Sequence, residues 1–413
     1  MKQHSALHRF ITHKLAYVAA LGLTLVLASS SVSSLNDQAL QAAAVRAPQE
    51  PEALLVNGLL EISRNRLDNA MVEIDKAIKA NPNFRLAHLI KGDLLLAHTR
   101  PINTIGNVPN VPPQRIMELR EEAKARLQRR SQNQPLDYIP KYLLQMHPGQ
   151  HYAIVVDVSL STLYLYQNLN GEPHYVSDYY ISSGKNGAEK LKEGDQRTPL
   201  GVYFVTADLP KSQLSDFYGV GAYPISYPNE WDRRHGRNGH GIWLHGTPSD
   251  TYSRPPHSSN GCVVLTNQDL TTLGKTLQIG LTPVIITGHV EWVSPEIWRE
   301  QRNTLASQIE NWRRNWENRD TEKYLHFYAK NFNANGQTLA QWANQKRRVN
   351  STKAWIKVDV SNVSMFLYPG YENLAVVNFD QDYSSSNLST RMKKRQYWIN
   401  ENNQWKIIYE GAA

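Results

Sequence analysis

One cysteine occurs in 413 residues: Cys262, within Ser258-Ser259-Asn260-Gly261-Cys262-Val263-Val264. A lone thiol closes no intramolecular disulfide and does not by itself build a zinc site. Two uses remain, a small buried apolar side chain or a nucleophile. Nucleophilic use needs a thiolate, a base to generate it and donors for an oxyanion. Seventeen residues earlier, His245 ends the strand-like run Gly-Ile-Trp-Leu-His and is followed by Gly246. Two neighbouring strands joined by a long loop would bring this imidazole to the thiol as general base and acid. Gly261 lets the backbone turn tightly, so that N–H groups near Cys262 can face a developing oxyanion. The loop between the two residues, TPSDTYSRPPHSS, is rich in Pro, Ser and Asp and reads as a substrate-facing flap.

Around this pair, Ser259, Asn260, Trp243, Tyr252 and Arg254 are the candidates for substrate contact, with Trp243 and Tyr252 as cleft walls. Arg254, together with Arg233, Arg234 and Arg237, supplies cations that suit carboxylates; a solvated basic loop is the plainer reading of the same residues. His235, His240, His245 and His257 crowd one region. Their spacing is not the i, i+4 of a helical zinc site and no Glu completes an HExxH, so no metal is expected. No cofactor motif appears, and none is expected.

These residues fall in a mostly β region, 151–289, where YAIVVDVSLSTLYLYQN alternates β-branched and aromatic residues around a turn at Ser159–Ser161. TPLGVYFV, HGIWLHG, NGCVVLT and LTPVIITGH continue the strand pattern. Ahead of it, residues 50–130 read as helical and hold an internal echo: Ala53, Leu55, Gly58 and Leu60 recur 34 positions later as Ala87, Leu89, Gly92 and Leu94. With Ala70, Ala77 and Pro82, this predicts about one and a half tetratricopeptide-like (TPR-like) units, or a generic helical hairpin. Fewer than three such units cannot stack alone, so the segment needs another surface. INTIGNVPNVPP reads as a linker, and RIMELREEAKARLQRR as a solvated connecting helix. Behind the β region, residues 295–413 begin with helices in which Ile309, Trp312 and Trp316 fall at helical spacing, then give long strands, an α+β pattern.

At the N-terminus, a basic stretch precedes the apolar run LAYVAALGLTLVLA and then SSSVSS, over residues 1–34. This predicts an export signal, cleaved or retained as an inner-membrane anchor, and hence a periplasmic protein. The formal charge is +8, of which Lys2, Arg9 and Lys14 lie in that segment. The scattered remainder suits work near anionic polymers and does not support nucleic-acid binding.

The residues around Cys262 carry a resemblance. His-Gly-Thr at 245–247 followed by Ser-x-Gly-Cys-Val at 259–263, with RTPLGVYFV upstream, is similar to the YkuD-type L,D-transpeptidase domain. The resemblance implies that Cys262 attacks a peptidoglycan stem peptide at its L,D bond next to meso-diaminopimelate. His245 would be the base, and the Gly246 carbonyl would orient its ring. Asn260 stands where the family usually has His, and Val264 where it has Arg. The C-terminal region resembles an NTF2-like domain, and the layout is similar to L,D-carboxypeptidases of the Csd6/Pgp2 type from helical bacteria. The expected fold is therefore multidomain: an N-terminal helical TPR-like segment, a central mostly-β YkuD-like domain and a C-terminal α+β NTF2-like domain. A thioacyl intermediate would pass to an amine, giving cross-linking or exchange, or to water, giving trimming. A non-catalytic wall-binding scaffold is the alternative. A homodimer or a cell-wall protein partner is compatible with either.

Overall fold

The computed structural model describes residues 50–107, 109–131, 137–334 and 336–413; the expected export segment at 1–34 lies outside them. Among the described residues, no helix is long and apolar enough to cross a membrane.

Four helices come first: Pro51–Ser63, Leu67–Ala80, Arg85–Ala97 and Pro113–Ser131. Prolines open the first and last, where the missing N–H has no partner to lose. Leu54, Leu55, Leu59, Ala70, Ile74, Ala77, Leu86, Ala87 and Ile90 form their shared core. Small residues allow the first two helices to approach: a Cβ on Gly58 would sit 2.7 Å from Ile74 Cδ1. Its partner in the echo, Gly92, faces open space, so the two halves do not pack alike.

The 113–131 helix is not the solvated connector its charges suggest. Ile116, Glu122, Ala123, Ala125 and Arg126 are all buried. Arg126 is fully enclosed between Glu52 (3.0 Å) and Glu122 (2.8 Å) and lies over the Tyr180 ring, 3.9 Å from its centroid. The helix thus fastens the N-terminal region to the β domain.

That domain is built on a five-stranded sheet with strand order Glu172–Tyr180, Thr162–Leu169, Tyr152–Asp157, Pro283–Thr287, Gly201–Phe204. Only the 152–157 and 283–287 strands run parallel. They are continuous apolar runs because both faces are covered. Ile154, Val156, Val284 and Ile286 point into the domain's own core, while Ala153, Val155 and Ile285 join a second core shared with the C-terminal domain. A smaller sheet, ordered Val263–Val264, Trp243–His245, Gly221–Pro224, Leu209–Pro210, carries the candidate chemistry.

The C-terminal domain packs the helices Pro295–Glu317, Thr321–Leu325 and Leu339–Ser351 on long antiparallel strands, Ile356–Leu367, Leu374–Ser385, Leu388–Glu401 and Gln404–Ala412. Ser294 caps the first helix and Pro295 opens it; Trp298, Leu305, Ile309, Trp312 and Trp316 are its buried stripe. A fifth strand, Leu143–Gln145, comes from the chain ahead of the catalytic domain and pairs with 356–367. Ile139–Pro140 likewise pairs with Trp292–Val293. The chain therefore visits the C-terminal sheet before it folds the catalytic domain.

Candidate active site

The 243–245 and 263–264 strands are parallel neighbours, with Leu244 opposite Val263 and His245 opposite Val264. Side chains alternate across a strand. Ile242, Leu244, Val263 and Leu265 enter the core, so Trp243, His245, Cys262 and Val264 share the opposite face. Continuing the register by one step sets Cys262 beside Trp243 and makes His245 its diagonal neighbour on that face. The hydrophobic alternation thus fixes which way the chemistry points.

His245 is 1% exposed, and its Nδ1 lies 2.7 Å from the Gly246 carbonyl oxygen. A carbonyl only accepts, so Nδ1 carries the proton and Nε2 keeps its lone pair, the tautomer a base requires. Burial lowers the imidazole pKa to about 4; the Gly246 carbonyl opposes this, and the Arg254 charge adds to it. The Phe217 and Tyr218 rings flank it, with centroids at 5.8 and 5.1 Å.

Cys262 is half-buried and its thiol donates to the Gly241 carbonyl at 3.3 Å. Burial raises its pKa, while the Trp243 backbone N–H and the charges of Arg254 and Lys190 pull the other way. The resting pair is a neutral thiol and a neutral imidazole, with three groups in place to favour a thiolate.

The turn before Cys262 is held by two hydroxyls. Ser259 Oγ accepts from Gly261 N at 3.0 Å and donates to the Cys262 carbonyl at 2.6 Å. Thr198 Oγ1 accepts from Gly184 N and donates to the Gly261 carbonyl at 3.0 Å. Gly261 sits at φ +123, and a Cβ there would meet the Arg197 carbonyl oxygen at 2.7 Å. The turn needs this glycine, yet its N–H is taken by Ser259 instead of facing an oxyanion. Ser259, expected at the substrate, is a buried support of the turn. Asn260 is exposed beside it.

Trp243 is half-buried and packs on Tyr218, ring centroids 4.8 Å apart. Tyr252 is not a cleft wall: it is 7% exposed and its ring lies 4.2 Å from Phe84 in the helical core. Arg254 is brought in, its guanidinium over the Phe217 ring at 4.6 Å and close enough to act on both Cys262 and His245. It restores near the thiol the kind of charge that Val264 lacks. The other arginines go elsewhere. Arg234 donates to the Asn331 and Asn333 carbonyls of the C-terminal domain, Arg237 pairs with Asp232, and Arg233 donates to the Pro228 carbonyl. Of the histidines, His235 packs on Trp231 and His240 faces Glu193. Among the described residues, no three His, Cys, Asp or Glu side chains are placed to hold a metal.

Sequence reasoning missed Lys190, Phe217, Tyr218 and Asn267. Asn267 Oδ1 accepts from Val220 N and Thr247 N, and its Nδ2 donates to the Thr247 carbonyl at 2.8 Å, which pins the segment after His245 to the one bearing Phe217. Nothing in the residues around Asn267 marks it. Thr198 lay inside the quoted RTPLGVYFV stretch, without its role being legible.

The chain matches the YkuD L,D-transpeptidase catalytic domain over residues 151–286 and the Cds6 C-terminal NTF2-like domain over residues 304–411. No curated protein matches it. Among solved structures it is similar to Bd1075 of Bdellovibrio bacteriovorus, with 31% identity, TM-score 0.60, covering 67% of this chain and 98% of that one. It is also similar to the helical cell shape determining protein Pgp2 of Campylobacter jejuni, with 25% identity, TM-score 0.56, covering 66% of this chain and 95% of that one.

Proposed function

Because the chain belongs to the YkuD L,D-transpeptidase family, with a Cds6 NTF2-like domain behind its catalytic domain, we propose that it processes peptidoglycan stem peptides through a thioester on Cys262. The observation that carries this is the His245 Nδ1–Gly246 bond, which leaves Nε2 as an acceptor on the face it shares with the thiol. The Sγ proton passes to Nε2 as Sγ bonds the carbonyl carbon of the residue before the scissile bond. The C–N bond then breaks and the leaving amine takes the proton from Nε2. Water, or an amine, attacks the thioester; its proton passes to His245, and the sulfur leaves and is reprotonated. The Trp243 N–H, Lys190 and Arg254 offset the cost of the thiolate. With the Gly261 N–H occupied, the Cys262 amide is the oxyanion donor in this reading.

In this reading water is the acceptor, giving trimming, and a peptidoglycan substrate means a place of work outside the cytoplasm; the likeness to a helical cell shape determining protein accords with both. Incubation with disaccharide-tetrapeptide and mass spectrometry tests this. The expected product is a tripeptide, lost in Cys262→Ala and reduced at least a hundredfold in His245→Ala. A cross-linked dimer would make the acceptor an amine. Full activity in Cys262→Ala would end the thioester mechanism. No tripeptide, together with no mass increase after carbapenem treatment, would leave a wall-binding scaffold.

A further inference from the structure

The N-terminal helices grip the loop that carries Arg254. Asn83 Nδ2 donates to the Ser249 carbonyl at 3.2 Å, and Arg85 Nη2 to Thr251 Oγ1 at 3.3 Å. Arg126 Nη2 donates to Ser253 Oγ at 3.1 Å, and Ser253 in turn donates to Glu122 at 2.6 Å. Tyr180, under Arg126, donates to the Arg254 carbonyl at 2.9 Å.

Between helices and loop lies a groove with a cavity volume of about 610 Å3. That is within the range of sites that enclose a small ligand. Its floor is apolar, with Leu89 and Ile116, and its cations are Arg85, Arg115 and Arg254. The charges are unevenly matched. Glu122 is committed to Arg126 and Ser253, Arg85 is partly offset by Asp250 at 3.7 Å, and Glu118, also on the lining, accepts from Gln114, which leaves the cations in excess. Arg115 is exposed with no acidic partner among the described residues, and no carboxylate acts on Arg254. Arg254 lines this groove and its charge also acts on Cys262, so one side chain links the groove to the active site.

We propose that this groove is a second subsite of the active centre, taking a carboxylate-bearing peptide segment against Arg115 and Arg254. It rests on the stem-peptide reading and assigns the N-terminal helices a part in holding substrate. The occupant is either a continuation of the peptide being cleaved or a second stem peptide.

Binding tests it apart from catalysis. In full-length Cys262→Ala protein, calorimetry is run with a stem tetrapeptide bearing free carboxylates and with the same peptide amidated. Arg115→Glu is the variant of choice, because an acidic residue in the first turn of the 113–131 helix suits the helix dipole and should not impair folding. It should weaken the free-carboxylate peptide about tenfold, the loss of one charge-assisted contact, and leave the amidated peptide unchanged. Equal binding of both peptides to both proteins would overturn the subsite. If that occurred while wild-type protein still formed a thiol adduct and trimmed peptide, the groove alone would be wrong. If the binding difference held while no adduct or trimming occurred, the thioester reading would be wrong and the groove would stand. Binding that persists on protein whose Cys262 is already acylated assigns the groove to a second peptide, and its loss assigns it to the donor; both support the subsite.

Discussion

The catalytic domain is held from two sides by different physics. Against the C-terminal domain the seam is a continuous apolar core, with Val155, Tyr166, Val202, Trp231 and Ile285 in one cluster with Trp298, Phe366, Tyr368 and Tyr397. The Leu143–Gln145 strand is woven into the far sheet, and Trp298 Nε1 donates to the Leu143 carbonyl at 2.6 Å. Against the N-terminal helices the seam is polar: the Arg126–Ser253 bond, the Arg129–Asp178 pair and several loop hydrogen bonds surround the aromatic contact of Phe84 with Tyr252. A shared apolar core adds stability without much regard to orientation. Directional bonds to one loop add little net stability but set where the loop sits. The C-terminal seam makes two domains one folding unit, and the N-terminal seam positions Arg254.

Trp298→Ala tests the first half of this contrast most severely. It empties a fully buried site and orphans the Leu143 carbonyl, at a cost of about 4 kcal/mol. Thermal unfolding should stay a single transition at a lower temperature, with the catalytic and C-terminal domains melting together. Two separate transitions would show that the apolar seam does not couple them. Arg126→Ala comes next, at about 3 kcal/mol, because Glu122 would lose its buried ion-pair partner and Glu52 its closer one, keeping Arg129 at 3.8 Å. Here the loss should stay local: protease sensitivity in residues 50–131, a raised KM as Arg254 loses its support, and little change in the main melting temperature. A drop in the main transition as large as that of Trp298→Ala would erase the distinction between the seams.

The same contrast explains what could be read from the residues alone. Strand alternation, the His245–Cys262 spacing and the helical tryptophan stripe are local patterns, and each element appears where they place it. The YkuD and NTF2-like assignments hold as well. What was not legible depends on meetings across the chain. Arg126 looks solvated among its charged neighbours, because only the fold brings Glu52 to it from 74 residues away. Tyr252 looks like a cleft wall until Phe84 arrives from the helices to cover it. Leu143–Gln145 is too short to announce a strand belonging to a sheet that begins two hundred residues later. In the site, Arg254 could be named, but its approach to the thiol is set by Ser253 and Tyr180, which no spacing reveals.

Acid sharpens the comparison at the site between the seams. His245 is held neutral by burial, with a pKa of about 4 against an ordinary 6.5. The unfolded chain therefore binds this proton more readily than the native one. Stability should be unaffected above pH 6.5 and fall by up to roughly 3 kcal/mol as pH drops from 6.5 to about 4, where the native imidazole also protonates. His245→Gln should flatten that window in denaturant titrations. In the wild-type protein the acid limb of kcat/KM should lie near pH 4, because the base stays deprotonated down to that point. An acid limb at pH 6.5 would mean that His245 is not held neutral by its surroundings.

The smallest effect discriminates most finely. Asn83→Ala removes one exposed hydrogen bond to the Ser249 carbonyl, about 0.5 kcal/mol, and leaves the Phe84–Tyr252 contact in place. If the polar seam serves position, this change should hardly move the melting temperature, yet should speed amide hydrogen exchange in the 247–257 loop and raise KM slightly with kcat unchanged. An unchanged loop with a lowered melting temperature would reverse the assignment, making the N-terminal helices a support for the fold instead of for the loop that carries Arg254.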